Sequence, residues 1–123
     1  MINIGLIGFG YWGPNLARNF NNNPDLNLKA LCDFSDDRLQ AAAQLYPNTE
    51  LTKNVEDLYK DIGLDAIAIS TPVSTHYDLA RNALLNNKHV RVEKPMTEKV
   101  EQAEELIDLA AANDKILLVD HTF

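Results

Sequence analysis

The alternation of short apolar runs with longer amphipathic segments along this chain predicts an α/β fold. We expect a doubly wound parallel sheet of about six strands with helices on both faces. The glycines Gly8, Gly10 and Gly13 follow the first apolar run directly, and the second run ends in Asp33, twenty residues beyond Gly13. The glycine pattern thus has the strand–turn–helix context that gives it structural meaning.

The first half of the chain predicts two strand–helix units and an edge strand. The helix after the glycine turn carries Leu16 and Phe20 at helical spacing, and a polar turn containing Pro24 ends it. The second helix has an apolar stripe that includes Leu45, which we expect to face inward, and Pro47 ends this helix. The predicted strands are 2–7, 27–32 and 50–52, and the predicted helices are 13–21, 36–45 and a brief one around 55–59.

The second half continues the same alternation. The uninterrupted apolar run 66–69 is typical of a central parallel strand that is covered on both faces. The last helix has apolar residues, among them Leu106 and Ile107, on the side expected to face the sheet. Strands are predicted over 66–69, 88–92 and 116–119, and helices over 75–85 and 98–112. Six strands in this pattern suit the order 3-2-1-4-5-6, which places a ligand across the carboxyl ends of the central strands.

The glycine turn is suited to hold a pyrophosphate. Gly8 permits a tight turn, Gly10 lets the backbone approach the phosphates, and Gly13 removes the Cβ that would hold the helix away from the strand. The phosphates would lie at the N-terminus of the helix, where N–H groups and the helix dipole favour negative charge. Pro14 fits the first helical turn, because a missing N–H is not needed there.

Asp33 stands at the distance expected for a carboxylate that accepts hydrogen bonds from an adenosine ribose. Because a carboxylate would repel a 2′-phosphate, NAD is favoured over NADP, although Arg38 is nearby. A helix N-cap or loop acid is the alternative role for Asp33. Ser35 or Asp36 could cap the next helix instead.

Composition excludes several other classes of function. The 123 residues include 11 Lys and Arg against 18 Asp and Glu, and the net charge of -7 argues against a nucleic-acid partner. No apolar run is long enough to span a bilayer and no secretory leader opens the chain, so we expect no membrane partner and a cytoplasmic location. The single cysteine, Cys32, is expected to pack in the core, and no cluster has metal-ligand spacing, so no metal is expected.

Two later motifs follow strand ends that should lie beside the glycine turn. Ser70, Thr71 and Pro72 come after the fourth predicted strand, with His76 four residues further on. The motif Glu93-Lys94-Pro95 follows the fifth. Small hydroxyl residues would let the backbone approach a ribose or a nicotinamide.

Together with the glycine turn, Thr71-Pro72, His76 and Glu93-Lys94-Pro95 resemble the glucose–fructose oxidoreductase, inositol dehydrogenase and MocA (Gfo/Idh/MocA) family. The resemblance covers essentially the whole chain, but only the N-terminal, NAD(P)-binding Rossmann half of that family. The segment 11–20 is most similar to sugar-nucleotide dehydrogenases, which oxidise position 3 of a UDP-N-acetylated sugar or its uronic acid. The segment 121–123 is similar to the crossing into the substrate domain of such enzymes.

The resemblance implies a role for each motif. Lys94 would be the catalytic residue, bonded to the carbinol hydroxyl that gains or loses a proton, and a positive nicotinamide ring would favour its neutral amine. Glu93 would orient Lys94, and a cis peptide bond at Pro95 is expected to be tolerated. The implied cofactor-binding residues are Gly8, Phe9, Gly10, Tyr11, Trp12, Gly13, Asp33, Ser70, Thr71, Pro72, His76, Glu93 and Lys94.

Several of these residues have a structural alternative. His76 could satisfy local backbone or packing needs instead of contacting the cofactor. Tyr11 and Trp12 could seal the first helix against a partner domain, and Lys94 could be a surface lysine after a strand.

The resemblance implies that residues 1–123 form a dinucleotide-binding domain and that the substrate domain of the family is absent from this chain. The leading hypothesis is the cofactor-binding half of an NAD-dependent oxidoreductase, which transfers a hydride between a secondary alcohol of a sugar or sugar nucleotide and nicotinamide. Full turnover by this half alone is not expected, because little remains to orient a sugar. A non-catalytic NAD-binding module is the alternative. A methyltransferase is a third hypothesis, which we disfavour because the motif Glu93-Lys94-Pro95 would have no function in such an enzyme. The sequence leaves homo-oligomer formation open.

Overall fold

The computed structural model describes residues 1–10 and 12–120, and within these ranges six strands alternate with five α-helices. Tyr11 and the segment 121–123, both singled out from the sequence, lie outside the described residues. The strands are β1 (Ile2–Ile7), β2 (Leu26–Cys32), β3 (Glu50–Thr52), β4 (Ala66–Ile69), β5 (His89–Glu93) and β6 (Leu117–Asp120). The helices are α1 (Gly13–Asn22), α2 (Asp36–Leu45), α3 (Glu56–Lys60), α4 (His76–Leu85), which a 3₁₀ turn (Val73–Thr75) precedes, and α5 (Val100–Ala112).

All strand pairs are parallel, and the sheet order is β3-β2-β1-β4-β5-β6, which confirms the predicted order. β1 lies at the centre, between β2 and β4. The chain leaves β1 toward one side of the sheet and later leaves β4 toward the other side. The loops that follow β1 and β4 therefore diverge and open a crevice at the edge where the strands end, which we call the carboxyl edge.

The helices cover both faces of the sheet, as predicted. Successive strand residues point to opposite faces, so Leu6 and Ile7 of β1 enter two different cores. Leu6 packs in the core under α1 and α2, with Phe20. Ile7 packs in the core under α3, α4 and α5, with Leu84 and Leu106. Within the described ranges, none of the helices has the length and apolar character that crossing a membrane requires.

Two predictions of inward-facing residues are wrong. Leu45 at the end of α2 is 62% exposed, because the next residue, Tyr46, takes the buried position and packs edge-on against Phe9. Ile107 in α5 is 54% exposed, whereas its neighbour Leu106 is fully buried. In both helices the buried face is narrower than the apolar stripe in the sequence suggested.

Candidate functional site

A cleft of about 1170 Å³ opens at the carboxyl edge, where β1, β2, β4 and β5 end. Its volume lies above the usual range of about 300–1,000 Å³ for ligand sites and leaves room for an elongated ligand. Phe9 and Gly13 are buried in the glycine turn and do not line the cleft. The sequence-predicted residues that line it are Gly8, Gly10, Trp12, Asp33, Ser70, Thr71, Pro72, His76, Glu93 and Lys94.

A Cβ would have a different effect at each of the three glycines of the turn. Gly8 has a φ of +100°, and a Cβ at this position would come within 2.4 Å of the Ser70 carbonyl oxygen. A Cβ on Gly13 would come within 2.2 Å of the Gly8 carbonyl oxygen, so the close approach of α1 needs a glycine here. A Cβ on Gly10 would meet only the flexible Arg38 side chain, at 3.2 Å or more. The fold therefore requires glycine at positions 8 and 13, whereas at position 10 the neighbour is a side chain that can move aside.

α1 begins directly after this turn, and its N-terminus suits an anion. Trp12 at the N-cap contributes no side-chain capping bond, and the first turn contains no acidic residue. Pro14 lies within the first two positions of α1, where a backbone N–H would have no hydrogen-bond partner within the helix. The N–H groups of a first helical turn and the helix dipole both stabilise negative charge, so a pyrophosphate fits this position.

Asp33 holds the glycine turn from the end of β2. Its Oδ2 accepts a hydrogen bond from the Phe9 N–H at 2.7 Å, and its Oδ1 accepts one from the Ser35 N–H at 2.8 Å. The N-cap of α2 is Ser35, whose hydroxyl accepts from the Arg38 N–H, so Asp33 does not serve as the cap. Each carboxylate oxygen can accept a second hydrogen bond, so Asp33 can hold the loop and still accept from a ribose hydroxyl.

Sequence reasoning gave no role to the cleft residue Phe34, and it noted the cleft residue Arg38 only as a basic residue near Asp33. Phe34 directly follows Asp33, lines the cleft and is 75% exposed. The Arg38 guanidinium lies 3.7 Å from Asp33 Oδ2 and next to Gly10. The sequence signal that could have identified them is a large apolar residue, Phe34, in an otherwise polar turn, followed one helical turn later by Arg38.

The loop after β4 closes the cleft opposite the glycine turn. The Ser70 N–H donates to the Ile7 carbonyl at 2.8 Å, which extends the β1–β4 pairing to the start of this loop. The Thr75 hydroxyl donates to the Pro72 carbonyl, and the Thr71 and Thr75 hydroxyls lie 2.6 Å apart. The threonine hydroxyls thus fix the loop itself, and its residues line the cleft.

His76 is buried beneath this loop, with 2% of its surface exposed. Its Nε2 lies 2.9 Å from the Thr71 carbonyl oxygen, and its Nδ1 lies 3.0 Å from the Pro95 carbonyl oxygen. Both ring nitrogens thus face protein carbonyls. This geometry favours the structural alternative for His76 over the direct cofactor contact expected from the sequence.

The end of β5 brings Glu93 and Lys94 to the cleft. Glu93 is buried and pairs with Arg91, at 3.3 Å between Oε1 and Nη1. Lys94 is exposed and lines the cleft, and its backbone N–H donates to the Asp120 carbonyl at 3.0 Å, so its backbone is held. The Lys94–Pro95 peptide bond is cis, in line with the sequence expectation.

Cys32 also reaches the cleft, from the end of β2. Burial, reinforced by the negative charges of Asp33 and Asp57, raises the pKa of its thiol to about 11. The thiol is therefore protonated at neutral pH. Across the described part of the chain, no three His, Cys, Asp or Glu side chains converge as metal ligands would.

Comparison with known proteins agrees with this fold and cleft. The GFO_IDH_MocA family model, an oxidoreductase family with an NAD-binding Rossmann fold, matches residues 2–121. The uncharacterized oxidoreductase YdgJ of Escherichia coli K12 is 34% identical over 121 residues, which cover 98% of this chain and 34% of YdgJ. This chain thus spans about a third of that relative's length.

Solved structures give the same result. A candidate oxidoreductase from Bacteroides fragilis superposes with a TM-score of 0.92 at 34% identity, over 98% of this chain and 35% of that one. A 3-ketoreductase from Actinomadura kijaniata, solved in complex with NADP and TDP-benzene, gives a TM-score of 0.90 at 24% identity, over 97% and 37% of the two chains. This second likeness shows the fold alone. With a family match along nearly its whole length, the chain belongs to the Gfo/Idh/MocA oxidoreductases, as their NAD-binding Rossmann domain.

Proposed function

We propose that this domain supplies NAD to an oxidoreductase that transfers a hydride between a secondary alcohol of a sugar or sugar nucleotide and the nicotinamide. One observation carries the proposal: a single cleft joins the glycine turn and Asp33 at one end to Lys94 at the other. A dinucleotide has the same order, with its adenosine ribose at one end and its reactive ring at the other.

The cleft residues divide between the two ends of the cofactor. Gly8, Gly10 and the start of α1 would hold the pyrophosphate, and Asp33 would accept from the adenosine ribose. Phe34, exposed beside Asp33, offers an apolar face for the adenine. The described Trp12, and Tyr11 beside it in the sequence, would flank the pyrophosphate. Ser70, Thr71 and Pro72 would lie against the nicotinamide ribose and ring.

NAD is the proposed cofactor, in preference to NADP. The Asp33 carboxylate would repel a 2′-phosphate, and its two backbone hydrogen bonds hold it in place. The Arg38 guanidinium, 3.7 Å from this carboxylate, reduces the repulsion. We therefore expect NADP to bind measurably but more weakly than NAD.

Lys94 would handle the proton of the reacting alcohol. When bound, NAD supplies the acceptor for the hydride, and the alcohol must then lose its hydroxyl proton. The exposed Lys94 amine, on a backbone that is held by Asp120, could accept this proton when neutral or donate it in the reverse direction. Glu93 would keep the turn in place through its ion pair with Arg91.

We assign substrate binding to the region of the family's proteins that this chain does not match. Because the chain spans about a third of YdgJ, we propose that residues 1–123 act as the dinucleotide-binding domain of a two-domain enzyme. The alternative, a non-catalytic NAD-binding module, would use the same cleft with Lys94 only holding the cofactor.

Calorimetric titration of the chain with NAD and NADP tests the cofactor assignment. The Asp33→Asn variant keeps an acceptor for the Phe9 N–H but loses the charge and the acceptor for the Ser35 N–H. We expect it to weaken NAD and to lower the ratio of the NADP to the NAD dissociation constant about tenfold. Arg38→Ala should weaken NADP more than NAD, whereas Arg81→Ala, which removes an exposed arginine paired with Glu105 away from the cleft, should change neither. Tighter binding of NADP than of NAD by the unmodified chain would refute the assignment of Asp33.

A turnover assay separates the enzyme from the non-catalytic module. The chain should be assayed with NAD and UDP-N-acetylated sugars, alone and joined to the substrate domain of a relative. Turnover that appears in the joined protein and falls at least about a hundredfold in Lys94→Met, but not in the matched Lys99→Met, supports the enzyme. NAD binding without turnover in either form supports the module.

A further inference from the structure

The ring of His76 joins two loops that lie far apart in the sequence. Thr71 belongs to the loop after β4, and Pro95 belongs to the loop after β5. Their carbonyl oxygens lie 2.9 Å and 3.0 Å from the two nitrogens of one buried imidazole. Both loops line the end of the cleft that contains Lys94.

We propose that His76 is a positioning residue, which fixes these two loops to each other and so holds Lys94 and the nicotinamide end of the cleft. This inference rests on the proposed function. It differs from a direct cofactor contact, because both polar atoms of the ring are turned toward protein carbonyls.

The backbone on either side of Lys94 is held by a different partner. The Lys94 N–H donates to the Asp120 carbonyl of β6 at 3.0 Å, and the Pro95 carbonyl faces His76. The Lys94 side chain itself is exposed. Its position therefore depends on the backbone that carries it, and His76 provides a contact that holds this backbone.

Hydrogen-bond capacity explains why histidine suits this position. A neutral imidazole carries one N–H and can satisfy one of the two carbonyls, whereas the protonated ring can donate to both. A buried apolar side chain of similar size would fill the space and leave both carbonyls without this donor. Phenylalanine at position 76 thus separates the hydrogen bonds from the packing.

The contacts of His76 lie at one end of the cleft, so the test compares a ligand that fills both ends with one that fills a single end. NAD would reach the loops after β4 and β5, whereas ADP would occupy only the glycine turn and the Asp33 end. A residue that positions the nicotinamide end should affect NAD and spare ADP. A residue that only stabilises the fold should affect both ligands equally or neither.

The experiment titrates the chain and its His76→Phe, His76→Gln and His89→Ala variants with NAD and with ADP. His89 is the matched control, because its Nδ1 accepts from the Ile116 N–H at the opposite edge of the sheet. We expect His76→Phe to weaken NAD about tenfold and to leave ADP within about twofold. His76→Gln, which retains amide donors, should weaken NAD less, and His89→Ala should leave both affinities unchanged.

The outcomes separate this inference from the proposed function. Equal weakening of NAD and ADP, or unchanged NAD affinity in His76→Phe, would overturn the positioning role. If His76→Phe does not fold, His76→Leu takes its place, because it also lacks donors, and unchanged NAD affinity or an equal loss of both ligands in that variant overturns the role. A failure of the unmodified chain to bind NAD would instead overturn the proposed function.

Discussion

Cys32 illustrates at the residue scale how a side chain can reach the cleft and remain chemically inert. It lies at the end of β2, 1% exposed, and its thiol pKa is raised to about 11 by burial and by the charges of Asp33 and Asp57. At pH 8, about one such thiol in a thousand is ionised, and the thiolate is the reactive form. We predict that a chromogenic disulfide reagent labels Cys32 far more slowly in the folded chain than in urea. Equal rates in the two conditions, measured by absorbance, would contradict the raised pKa.

Gly10 and Gly13 allow cofactor binding to be separated from folding. In Gly13→Ala the new Cβ would meet the Gly8 carbonyl oxygen at 2.2 Å, so we expect a loss of about 2–3 kcal/mol in the free energy of unfolding. In Gly10→Ala the Arg38 side chain can move aside, and we expect a change in stability below about 1 kcal/mol. NAD affinity should nevertheless fall about tenfold or more in Gly10→Ala, because the methyl group would occupy the phosphate approach.

Urea unfolding and NAD titration of both glycine variants check this prediction. Gly8→Ala serves as a positive control for destabilisation, because its φ of +100° is strained for any residue with a Cβ. Unchanged NAD affinity in a well-folded Gly10→Ala variant would count against the phosphate cradle.

The individual site residues could be predicted from the sequence where spacing alone determines position. Asp33 is such a residue, because a strand end twenty residues after the glycine turn fixes its location. The contact of Arg38 with Gly10 and Asp33 could not be predicted, because it depends on the angle at which α2 leaves β2. The bonding of His76 depends on Pro95, nineteen residues away on another loop, and no local pattern encodes that distance.

At the scale of elements, charged residues hold together the edge of the sheet opposite the cleft. Asp61, after α3, pairs with the Lys29 ammonium, and its Oδ1 accepts from the Gly63 N–H at 2.9 Å. The Lys29 ammonium holds the pKa of Asp61 below its usual range, against the opposing effect of burial. Lys88, before β5, is buried and donates to the Asp61 carbonyl, and burial lowers the pKa of its amine.

This network predicts a dependence of stability on acid. Because the folded pKa of Asp61 lies below its unfolded value, its contribution is present above about pH 4 and is lost as the pH falls through the folded pKa. Asp61→Asn, which can still accept from the Gly63 N–H, should lower the free energy of unfolding by about 0.5–1 kcal/mol at pH 7. The difference from the unmodified chain should shrink toward zero near pH 2. Urea unfolding at a series of pH values measures it, with the exposed Glu104→Gln as control, and a difference that grows on acidification would refute the ion pair.

The elements themselves were largely predictable, and their boundaries were less so. The strand order followed from the alternation and from the glycine turn, because a parallel doubly wound sheet has few alternatives. α4 begins at His76 instead of Thr75, since Val73–Thr75 form a 3₁₀ turn that a helical periodicity does not distinguish. Leu45 was expected inward because apolar spacing marks a stripe without marking its width.

At the scale of the whole molecule, the cleft residues and the charged network lie at opposite edges of the sheet. The carboxyl edge contains the glycine turn, Asp33, His76 and Lys94, to which we assign cofactor binding and positioning. The opposite edge contains the charged network around Asp61, which does not line the cleft. Because no residue is shared between the two groups, substitutions at the two edges should act additively.

This separation predicts how the chain responds to cofactor on heating. A ligand that binds only the folded state at a hundred times its dissociation constant adds about 2.7 kcal/mol of stability, which corresponds to a rise in Tm of roughly 10 °C for a chain of this size. We predict that Asp61→Asn lowers the Tm without NAD and leaves the NAD-induced rise unchanged. Asp33→Asn should reduce that rise at the same NAD concentration, and the double variant should show both effects in full. Differential scanning calorimetry over a series of NAD concentrations tests this, and a smaller NAD-induced rise in Asp61→Asn would show that the two edges are coupled through the sheet.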